Sequence, residues 1–362
     1  MRERLLQAER IERVVVRGTN WVGDAVMTIP ALRALRQLLP QAHITLAARP
    51  STAGLFVDAD FIDDFLIYER RPRDVRAVVR QARAWRRRGF DLALLFQNAF
   101  EAALIAAGAR VPLRLGYATD NRRALLTHPL PMPAWRGERH EVFYYLHLVA
   151  ELERSLYGTS RVGGQAPDFR LRVSPERQAE ARQLLKAHGA THSRPLVALC
   201  PGSTNSRAKR WPTESYAALA DRLITEAGAD VLLVGAPDEL RVSLDVRAAM
   251  REEPILLTGH TNLAEAVAVL SLAALLVTND TGPAHIAAAL ERPTLVIFGP
   301  TDPRTTRPFS PTAEIIRRAP DCAPCMLRDC PIDHRCMTGI TPAEVFSRSL
   351  ALFKHEAAEA RV

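Results

Sequence analysis

Short apolar runs alternate with helical patterns along this chain of 362 residues, and that alternation limits the fold more than any other feature. The first half contains the apolar runs IERVVVRG, HITLAA, DFLIY and DLALLF. Helical patterns lie between them, among them DAVMTIPALRALRQLL and RDVRAVVRQARAWRRR. Strands that alternate with helices are typical of βαβ units and a parallel sheet. The first half is therefore predicted to form a Rossmann-like domain.

A second alternation follows the stretch GTSRVGGQAPDF, whose glycine, serine and proline content indicates a linker. The strand patterns of this half are RPLVALC, ADVLLVG, EPILLTG, ALLVTND and PTLVIFG. Four helices are predicted to begin near Thr213, Asp238, Asn262 and Gly282. We predict an α/β fold of two Rossmann-like domains that face a cleft, residues 1–165 and residues 166–362. We expect the last helix to pack back on the first domain.

The composition is that of a globular protein, with 48% hydrophobic and 24% charged residues. The apolar runs are shorter than the ~20 residues that a membrane-spanning helix needs. The N-terminal segment MRERLLQAERIER lacks the apolar region of a secretory signal. We therefore expect a cytoplasmic protein.

A net charge of +8 favours an anionic partner, which is a phosphorylated metabolite, a nucleic acid or an anionic membrane surface. Charge alone does not choose among these three. The arginine runs lack interleaved aromatic residues, and aromatic residues make up only 6% of the chain. Surfaces that bind single-stranded nucleic acid use such aromatic side chains, so we expect no nucleic-acid partner.

Polar clusters follow all five strand patterns of the second half: CPGSTNS, VGAPDE, LTGHTN, TNDTGPAH and FGPTDP. Ligands of open parallel sheets bind outside the carboxyl ends of the strands, so these clusters predict a ligand site. The helix predicted to begin at Gly282 offers free N–H groups and a positive dipole end to an anion. The alternative is that Asp280 and Thr281 only cap this helix.

Lys209 lies between a predicted strand end and a predicted helix start. A cation close to a helix N-terminus is electrostatically unfavourable unless an anion separates the two. We therefore predict that Ser203, Thr204 and Lys209, assisted by Arg210, hold phosphate oxygens. The alternative is an exposed Lys–Arg pair that binds nothing.

The segment RGTNWVGD follows the first predicted strand and resembles neither of two common phosphate loops. A Walker loop requires Lys and Ser or Thr after its last glycine, whereas Asp24 follows Gly23 here. The G-x-G of a dinucleotide-binding turn is also absent. Because a carboxylate repels phosphate, Asp24 is predicted either to act as a base or to cap the helix that begins there.

Four of the five cysteines lie within the segment CAPCMLRDCPIDHRC. They are Cys322, Cys325, Cys330 and Cys336. A C-x2-C pair with two further thiols is a possible structural metal site for zinc or an iron–sulfur cluster, although the later spacings differ from a usual second pair. Free thiols and disulfides are the alternatives, and the expected cytoplasmic location disfavours disulfides.

Four segments together resemble glycosyltransferase family 9, the ADP-heptose:lipopolysaccharide heptosyltransferases. They are VGDAVMTIPALRAL, PGSTNSRAKRWPTESYAALA, VGAPDE and TNDTGPAHIAAALERPTLVIFGPTDP. The late segment CMLRDCPIDHRCM, followed by TPAEV, is most similar to the second inner-core subgroup of that family. The resemblance implies a GT-B fold, with the acceptor on the first domain and the nucleotide sugar on the second. It also implies inverting transfer of heptose from ADP-heptose to the lipopolysaccharide inner core, with no cofactor required for catalysis.

The resemblance also implies roles for single residues. Asp24 matches the aspartate of the family's G-D motif, the proposed base. Lys209 matches a lysine that binds phosphate and assists catalysis, and Ser203 and Thr204 match the small hydroxyl residues beside it. The remaining donor-binding residues are Glu239, expected at the ribose, and Asp280, Thr281, Gly282 and His285, expected around the diphosphate and sugar.

The acceptor site is not matched to the family position by position. We predict acceptor binding by Asn98, Arg122 and Arg123, and we expect the basic surface around the two arginines to meet phosphates of the lipid acceptor. This predicts peripheral contact with an anionic membrane surface. The alternative functions are a related GT-B transferase or epimerase on another nucleotide sugar, and a nonenzymatic protein that binds nucleotides or nucleic acid.

Overall fold

The computed structural model of the chain describes residues 6–69, 74–164, 166–191 and 193–359. The chain divides into two compact units, Met1–Phe169 and Arg170–Val362. Each unit contains a six-stranded parallel sheet with helices between its strands, which confirms the predicted α/β class with two Rossmann-like units. Among the described residues, no helix combines the length and the apolar character that crossing a bilayer requires.

The first unit consists mainly of βα repeats. Its strands are β1 (Arg13–Arg17), β2 (His43–Ala48), β3 (Asp64–Ile67), β4 (Leu92–Leu95), β5 (Leu113–Tyr117) and β6 (His128–Leu130). Its helices are α1 (Val22–Met27), α2 (Ile29–Leu38), α3 (Pro50–Ala53), α4 (Val75–Arg88), α5 (Phe100–Gly108) and α6 (Glu141–Tyr157).

The first sheet has the strand order β3-β2-β1-β4-β5-β6. Strand β1 is fully buried at Val14, Val15 and Val16, because helices cover both faces of a parallel sheet. Trp85 of α4 packs in the same core, so the arginines of α4 occupy the exposed side of that helix. Because β1 and β4 are neighbours, the segments that carry Asp24 and Asn98 leave adjacent strand ends.

The pattern DAVMTIPALRALRQLL predicts one helix, whereas the structure has two, α1 and α2, separated at Thr28. Pro30 causes the break, because proline has no N–H and its ring clashes with the carbonyl four residues earlier in a continuous helix. Thr28 donates its hydroxyl hydrogen to the Ala25 carbonyl at 2.6 Å and closes the end of α1. Asp24 therefore lies on a short helix of its own.

The second unit has a similar order of elements. Its strands are β7 (Leu196–Cys200), β8 (Asp230–Leu233), β9 (Ile255–Leu256), β10 (Leu275–Asn279), β11 (Thr294–Phe298) and β12 (Ala313–Arg317). Its helices are α7 (Pro175–Ala187), α8 (Thr213–Thr225), α9 (Leu240–Ala249), α10 (Leu263–Ser271), α11 (Gly282–Ala289), α12 (Pro303–Thr306), α13 (Arg335–Thr338) and α14 (Pro342–Glu359).

The second sheet has the strand order β12-β11-β10-β7-β8-β9, so β10 and β7 lie at its centre. The predicted helix starts near Thr213, Asn262 and Gly282 are confirmed. Val345 and Phe346 of α14 lie in the core of the second unit, and the packing of this last helix on the first unit stays a prediction.

Asn279, the last residue of β10, connects the two central strand ends of this sheet. Its side chain is fully buried, and its Oδ1 accepts hydrogen bonds from the Trp211 N–H at 3.0 Å and from the Tyr216 hydroxyl at 3.1 Å. Its Nδ2 donates to the carbonyls of Pro201 at 2.9 Å and Gly202 at 3.1 Å. One amide thus holds the loop after β7 against the loop after β10.

We predict that Asn279→Ala lowers the free energy of unfolding by about 3 kcal/mol, because it leaves several buried polar groups without partners. Chemical denaturation of the native chain and the variant measures the change. The matched control is Asn262→Ala, which removes an exposed helix cap whose Oδ1 accepts from the Glu265 N–H at 3.0 Å. We expect the control to lose only about 1 kcal/mol. Equal losses in the two variants would contradict this role of Asn279.

Candidate active site

The loops at the carboxyl ends of the second sheet contact one another and form a continuous rim. Gly202, after β7, lies so close to Glu239 that a Cβ atom would come within 2.4 Å of the carboxylate carbon. Only glycine fits at such an approach. A Cβ on Gly235 would lie 3.2 Å from the methyl carbon of Thr258, which follows β9. The polar clusters that the sequence places after separate strands are therefore neighbours in space.

An ion pair at the start of α11 is the central feature of this rim. The ammonium Nζ of Lys209 lies 2.8 Å from Oδ2 of Asp280 and 3.1 Å from the Asp280 carbonyl oxygen. The Asp280 side chain is only 4% exposed, whereas the Lys209 side chain is 25% exposed. Thr301, after β11, donates its hydroxyl to the same Oδ2 at 2.6 Å. The carboxylate is thus fixed from two sides, and the ammonium that it holds reaches solvent.

The N-terminus of α11 is not closed by a capping side chain. Thr281 is the N-cap residue and makes no capping hydrogen bond to the residues of α11, all of which the structure describes. Its hydroxyl donates instead to the Asn279 carbonyl at 3.3 Å. Because Asp280 is engaged by Lys209 and Thr301, neither residue serves only as a cap. Gly282 is the first residue of the helix, and His285 lies buried on its first turn.

The segment 203–210 folds back on itself beside this ion pair. Arg210 donates from Nη2 to the Ser203 carbonyl at 2.9 Å, and Ser203 is buried. Thr204 donates its hydroxyl to Oε1 of Glu239 at 3.4 Å. Lys209 and Arg210 are both half-buried and have partners within the second unit, and phosphate binding by this pair stays a prediction.

Glu239 is a buried carboxylic acid at the end of β8. Burial raises its pKa above the ordinary value, and the nearby charge of Asp238 raises it further. The hydrogen bond that its Oε2 accepts from the Ala236 N–H, at 2.9 Å, acts in the opposite direction. The side chain lies between Gly202 and Gly235, which places it at the rim where the sequence predicts ribose binding.

In the first unit, Asp24 is the third residue of α1 and is partly exposed. The hydroxyl of Tyr145, on α6, donates to Oδ1 of Asp24 at 3.2 Å. Tyr145 is buried, and burial together with the charge of Asp24 raises the pKa of its hydroxyl. Glu141, one turn earlier on α6, is half-buried; its withdrawal from solvent raises the pKa of its carboxyl, the ion pair with Arg136 opposes the shift, and the charge of Asp24 adds to it.

Two of the three predicted acceptor residues form internal contacts. Arg122 is fully buried, and its guanidinium donates to the Tyr117 carbonyl at 2.7 Å and to Oδ1 of Asn98 at 2.7 Å. The prediction of acceptor binding by Arg122 is therefore wrong for this structure, because no surface of its side chain is available to a ligand. Asn98 also donates to the Tyr144 hydroxyl at 2.5 Å and is partly exposed. Arg123 is exposed, in a short 3-10 turn.

The four clustered cysteines do not form the possible structural metal site. Within residues 6–69, 74–164, 166–191 and 193–359, no group of three or more His, Cys, Asp or Glu side chains is arranged to hold a metal ion. Cys336 is buried on α13, and its Sγ lies 3.3 Å from the position that a Cβ atom on Gly299 would occupy. Cys322, in contrast, is exposed to solvent. Burial raises the pKa of the Cys336 thiol, and the nearby thiols of Cys330, Cys325 and Cys322 raise it further, so the four cysteines are neighbours in space without forming a metal-binding group. All five cysteines of the chain are free thiols.

Three residues that the sequence did not single out complete these sites. Tyr145 holds the proposed base, Thr301 holds Asp280, and Asn279 fixes the backbone beside the ion pair. Thr301 and Asn279 lie within the polar strand-end clusters FGPTDP and TNDTGPAH, so the sequence pattern already places both residues at the predicted ligand site. Tyr145 is 121 residues from Asp24 in the chain, and no local pattern connects them.

Comparison with known proteins agrees with these observations. A model of glycosyltransferase family 9 (heptosyltransferase) matches residues 78–335. Lipopolysaccharide heptosyltransferase 2 of Salmonella typhimurium is 31% identical over 327 residues, 84% of this chain and 88% of that protein. The Escherichia coli protein of the same name is 29% identical over 366 residues, 96% of this chain and 100% of that protein.

A solved structure gives the same result for the fold. The structure of ADP-heptose LPS heptosyltransferase II from Escherichia coli matches with a TM-score of 0.82 at 27% identity, over 95% of this chain and 99% of that one. The region matched by the family model contains Lys209, Glu239 and Asp280, and Asp24 precedes it. The chain therefore belongs to glycosyltransferase family 9, the heptosyltransferases.

Proposed function

We propose that this chain transfers heptose from ADP-heptose to the inner core of lipopolysaccharide by an inverting displacement that requires no metal ion. The donor and acceptor classes rest on family membership and on relatives that carry the name lipopolysaccharide heptosyltransferase 2. The observation that carries the proposal is the Lys209 ammonium, which Asp280 holds at the uncapped N-terminus of α11.

The second unit is proposed to bind ADP-heptose through its diphosphate. An ammonium has three N–H donors, and the two acceptors named above both belong to Asp280, so a third N–H is left for a phosphate oxygen. The N–H of Gly282 and the positive end of the helix dipole favour the same anion. Together they would stabilise the charge that develops on the departing ADP, a role that a divalent cation fills in other transferases.

The first unit is proposed to supply the base. In the displacement, the acceptor hydroxyl oxygen bonds to the anomeric carbon of heptose as the bond from that carbon to the diphosphate oxygen breaks. The carboxylate of Asp24 takes the proton from the hydroxyl. Its partial exposure permits contact with an acceptor, and the hydrogen bond from Tyr145 fixes the orientation of the carboxylate. A positioned base of this kind contributes about 10²–10⁴ in rate.

We predict that Asp24→Asn lowers kcat by about 10²–10⁴ and changes KM for ADP-heptose little, because the amide still accepts from Tyr145 but takes no proton. Release of the nucleoside diphosphate, ADP or UDP, is measured with a panel of nucleotide sugars, in the presence and absence of a lipopolysaccharide acceptor. The native chain is expected to use ADP-heptose and to require the acceptor. Turnover without an acceptor, or preference for a UDP-sugar, would favour the epimerase or the related transferase instead.

The matched control is Asp74→Asn, which changes another carboxylate at a helix start of the same unit. Asp74 caps α4 by accepting from the Ala77 N–H at 3.0 Å, and an asparagine retains that cap. The control is expected to keep native kcat. If Asp24→Asn behaves as the control does, the assignment of the base is wrong and Asp24 has only a local structural role.

We predict that Lys209→Ala weakens ADP binding roughly 10–100-fold, because hydrogen bonds between a cation and phosphate are worth about 1.5–3 kcal/mol. Isothermal titration of the apo protein with ADP measures the change without any turnover. Lys186→Ala removes a lysine from the exposed end of α7 and serves as the control. Equal ADP affinity in the two variants would contradict a phosphate contact by Lys209.

We further propose peripheral contact of the first unit with an anionic membrane surface, since the acceptor is a lipid. Arg123 is exposed and available for this contact, whereas Arg122 is not. Because a basic residue near an anionic bilayer contributes about 1 kcal/mol, Arg123→Glu is expected to reduce co-sedimentation with phosphatidylglycerol vesicles roughly tenfold. Arg251→Glu, an exposed arginine of the second unit, is the control. Unchanged binding of the Arg123 variant would exclude this contact.

A further inference from the structure

The segment that contains the clustered cysteines has no role in the proposed reaction, yet it lies against the loop that carries Lys209. The hydroxyl of Ser206 lies 3.3 Å from the Leu327 carbonyl oxygen and 3.2 Å from that of Arg328. The backbone N–H of Ala208 donates to the Arg328 carbonyl at 2.9 Å. We call residues 326–336 the brace segment, because these contacts join it to the two residues that precede and follow Arg207.

His334, at the far end of the brace segment, makes a third contact with the same loop. Its Nε2 lies 2.6 Å from the carbonyl oxygen of Ala208, the residue directly before Lys209. A carbonyl oxygen only accepts hydrogen bonds, so Nε2 carries the proton and donates it. Both polar groups of the Ala208 backbone, its N–H and its C=O, are thereby bound to the brace segment.

The backbone conformation of His334 directs its side chain toward this contact. Its φ is 57° and its ψ is 28°, in the left-handed region that residues other than glycine seldom occupy. The carbonyl of His334 accepts from the N–H of Met337 at 2.9 Å, and it thus starts α13. Met337 and Cys336 of α13 are buried beneath β11. The histidine is therefore anchored at its backbone by the core of the second unit.

The residues on the other side of Lys209 are equally constrained. The indole Nε1 of Trp211 donates to the Ile340 carbonyl at 2.9 Å, and its backbone N–H donates to Asn279. The Lys209 backbone is thus held on one side by His334 through Ala208 and on the other by Trp211. Fixing the backbone of Lys209 raises the affinity of its ammonium for a ligand, because binding then orders fewer rotatable bonds.

We infer that His334 is a positioning residue for Lys209, and that the brace segment holds the Lys209 ammonium in place for the diphosphate of the donor. The inference rests on the proposed function only in taking an adenosine diphosphate as the ligand. His334 acts through the Ala208 carbonyl and through no contact with substrate. The His334 end of the brace segment is then a support for the anion site.

A double-mutant cycle on ADP affinity tests the inference directly. His334→Ala is expected to weaken ADP binding about fivefold in isothermal titration, because it frees the Ala208 carbonyl and loosens the lysine. In the Lys209→Ala background the same change is expected to have no further effect, since the group that His334 positions is gone. His334→Gln places an amide N–H at a similar reach and is expected to bind ADP within about twofold of the native chain.

The matched control is His188→Ala. His188 is exposed, and its Nδ1 lies 2.9 Å from the Leu184 carbonyl at the end of α7, so it has the same kind of contact away from the rim. The His188→Ala variant is expected to bind ADP with the affinity of the native chain. A merely structural role of His334 would lower the denaturation midpoint and leave the ADP affinity of the folded protein unchanged.

Two results would overturn the inference: native ADP affinity in folded His334→Ala, or losses that multiply when His334→Ala and Lys209→Ala are combined. Non-additive losses with rescue by His334→Gln would support it. If ADP binding follows the expected cycle but the native chain transfers no heptose, the proposed function fails and the inference stands.

Discussion

The ion pair between Lys209 and Asp280 is the interaction on which the candidate donor site depends. An ammonium is repelled by the positive end of a helix, and the second unit holds one there by fixing a carboxylate between them. Thr301 fixes that carboxylate from β11, and the backbone of Asp280 continues directly from Asn279, which joins the ends of β7 and β10. Three strand ends therefore determine the position of one cation.

The first unit has the same type of sheet but carries a carboxylate, not an ammonium, beyond one of its strand ends. There a carboxylate, Asp24, stands at the start of a short helix, and Tyr145 donates a hydrogen bond to it from α6. Burial raises the pKa of the nearby Glu141 carboxyl, and the charge of Asp24 adds to that shift. Asp24 follows β1 and Lys209 follows β7, so both groups lie beyond the carboxyl ends of strands in their own parallel sheets.

The sequence predicts the layout of both sheets well, because strands buried on both faces appear as apolar runs and because helix starts such as Asn262 and Gly282 carry local signals. It predicts less well the elements that depend on distant residues. Strands β5, β6 and β12 are only partly buried, so their patterns are weak. The burial of Arg122 was not predictable either, since its partners Gln97 and Asn98 come from a neighbouring strand end. The sequence motifs identify Asp24 and Lys209 as candidate site residues, whereas the roles of Tyr145 and His334 follow only from their tertiary contacts.

We propose that the Lys209 ammonium and the start of α11 bind one phosphate together. A crystal structure of the native chain with ADP measures this most directly. We expect a β-phosphate oxygen within hydrogen-bond distance of Lys209 Nζ and of the Gly282 N–H, about 2.7–3.2 Å from each. We also expect Asp280 to keep its contact with Thr301. A diphosphate bound away from Gly282, with Lys209 paired to Asp280 alone, would contradict it.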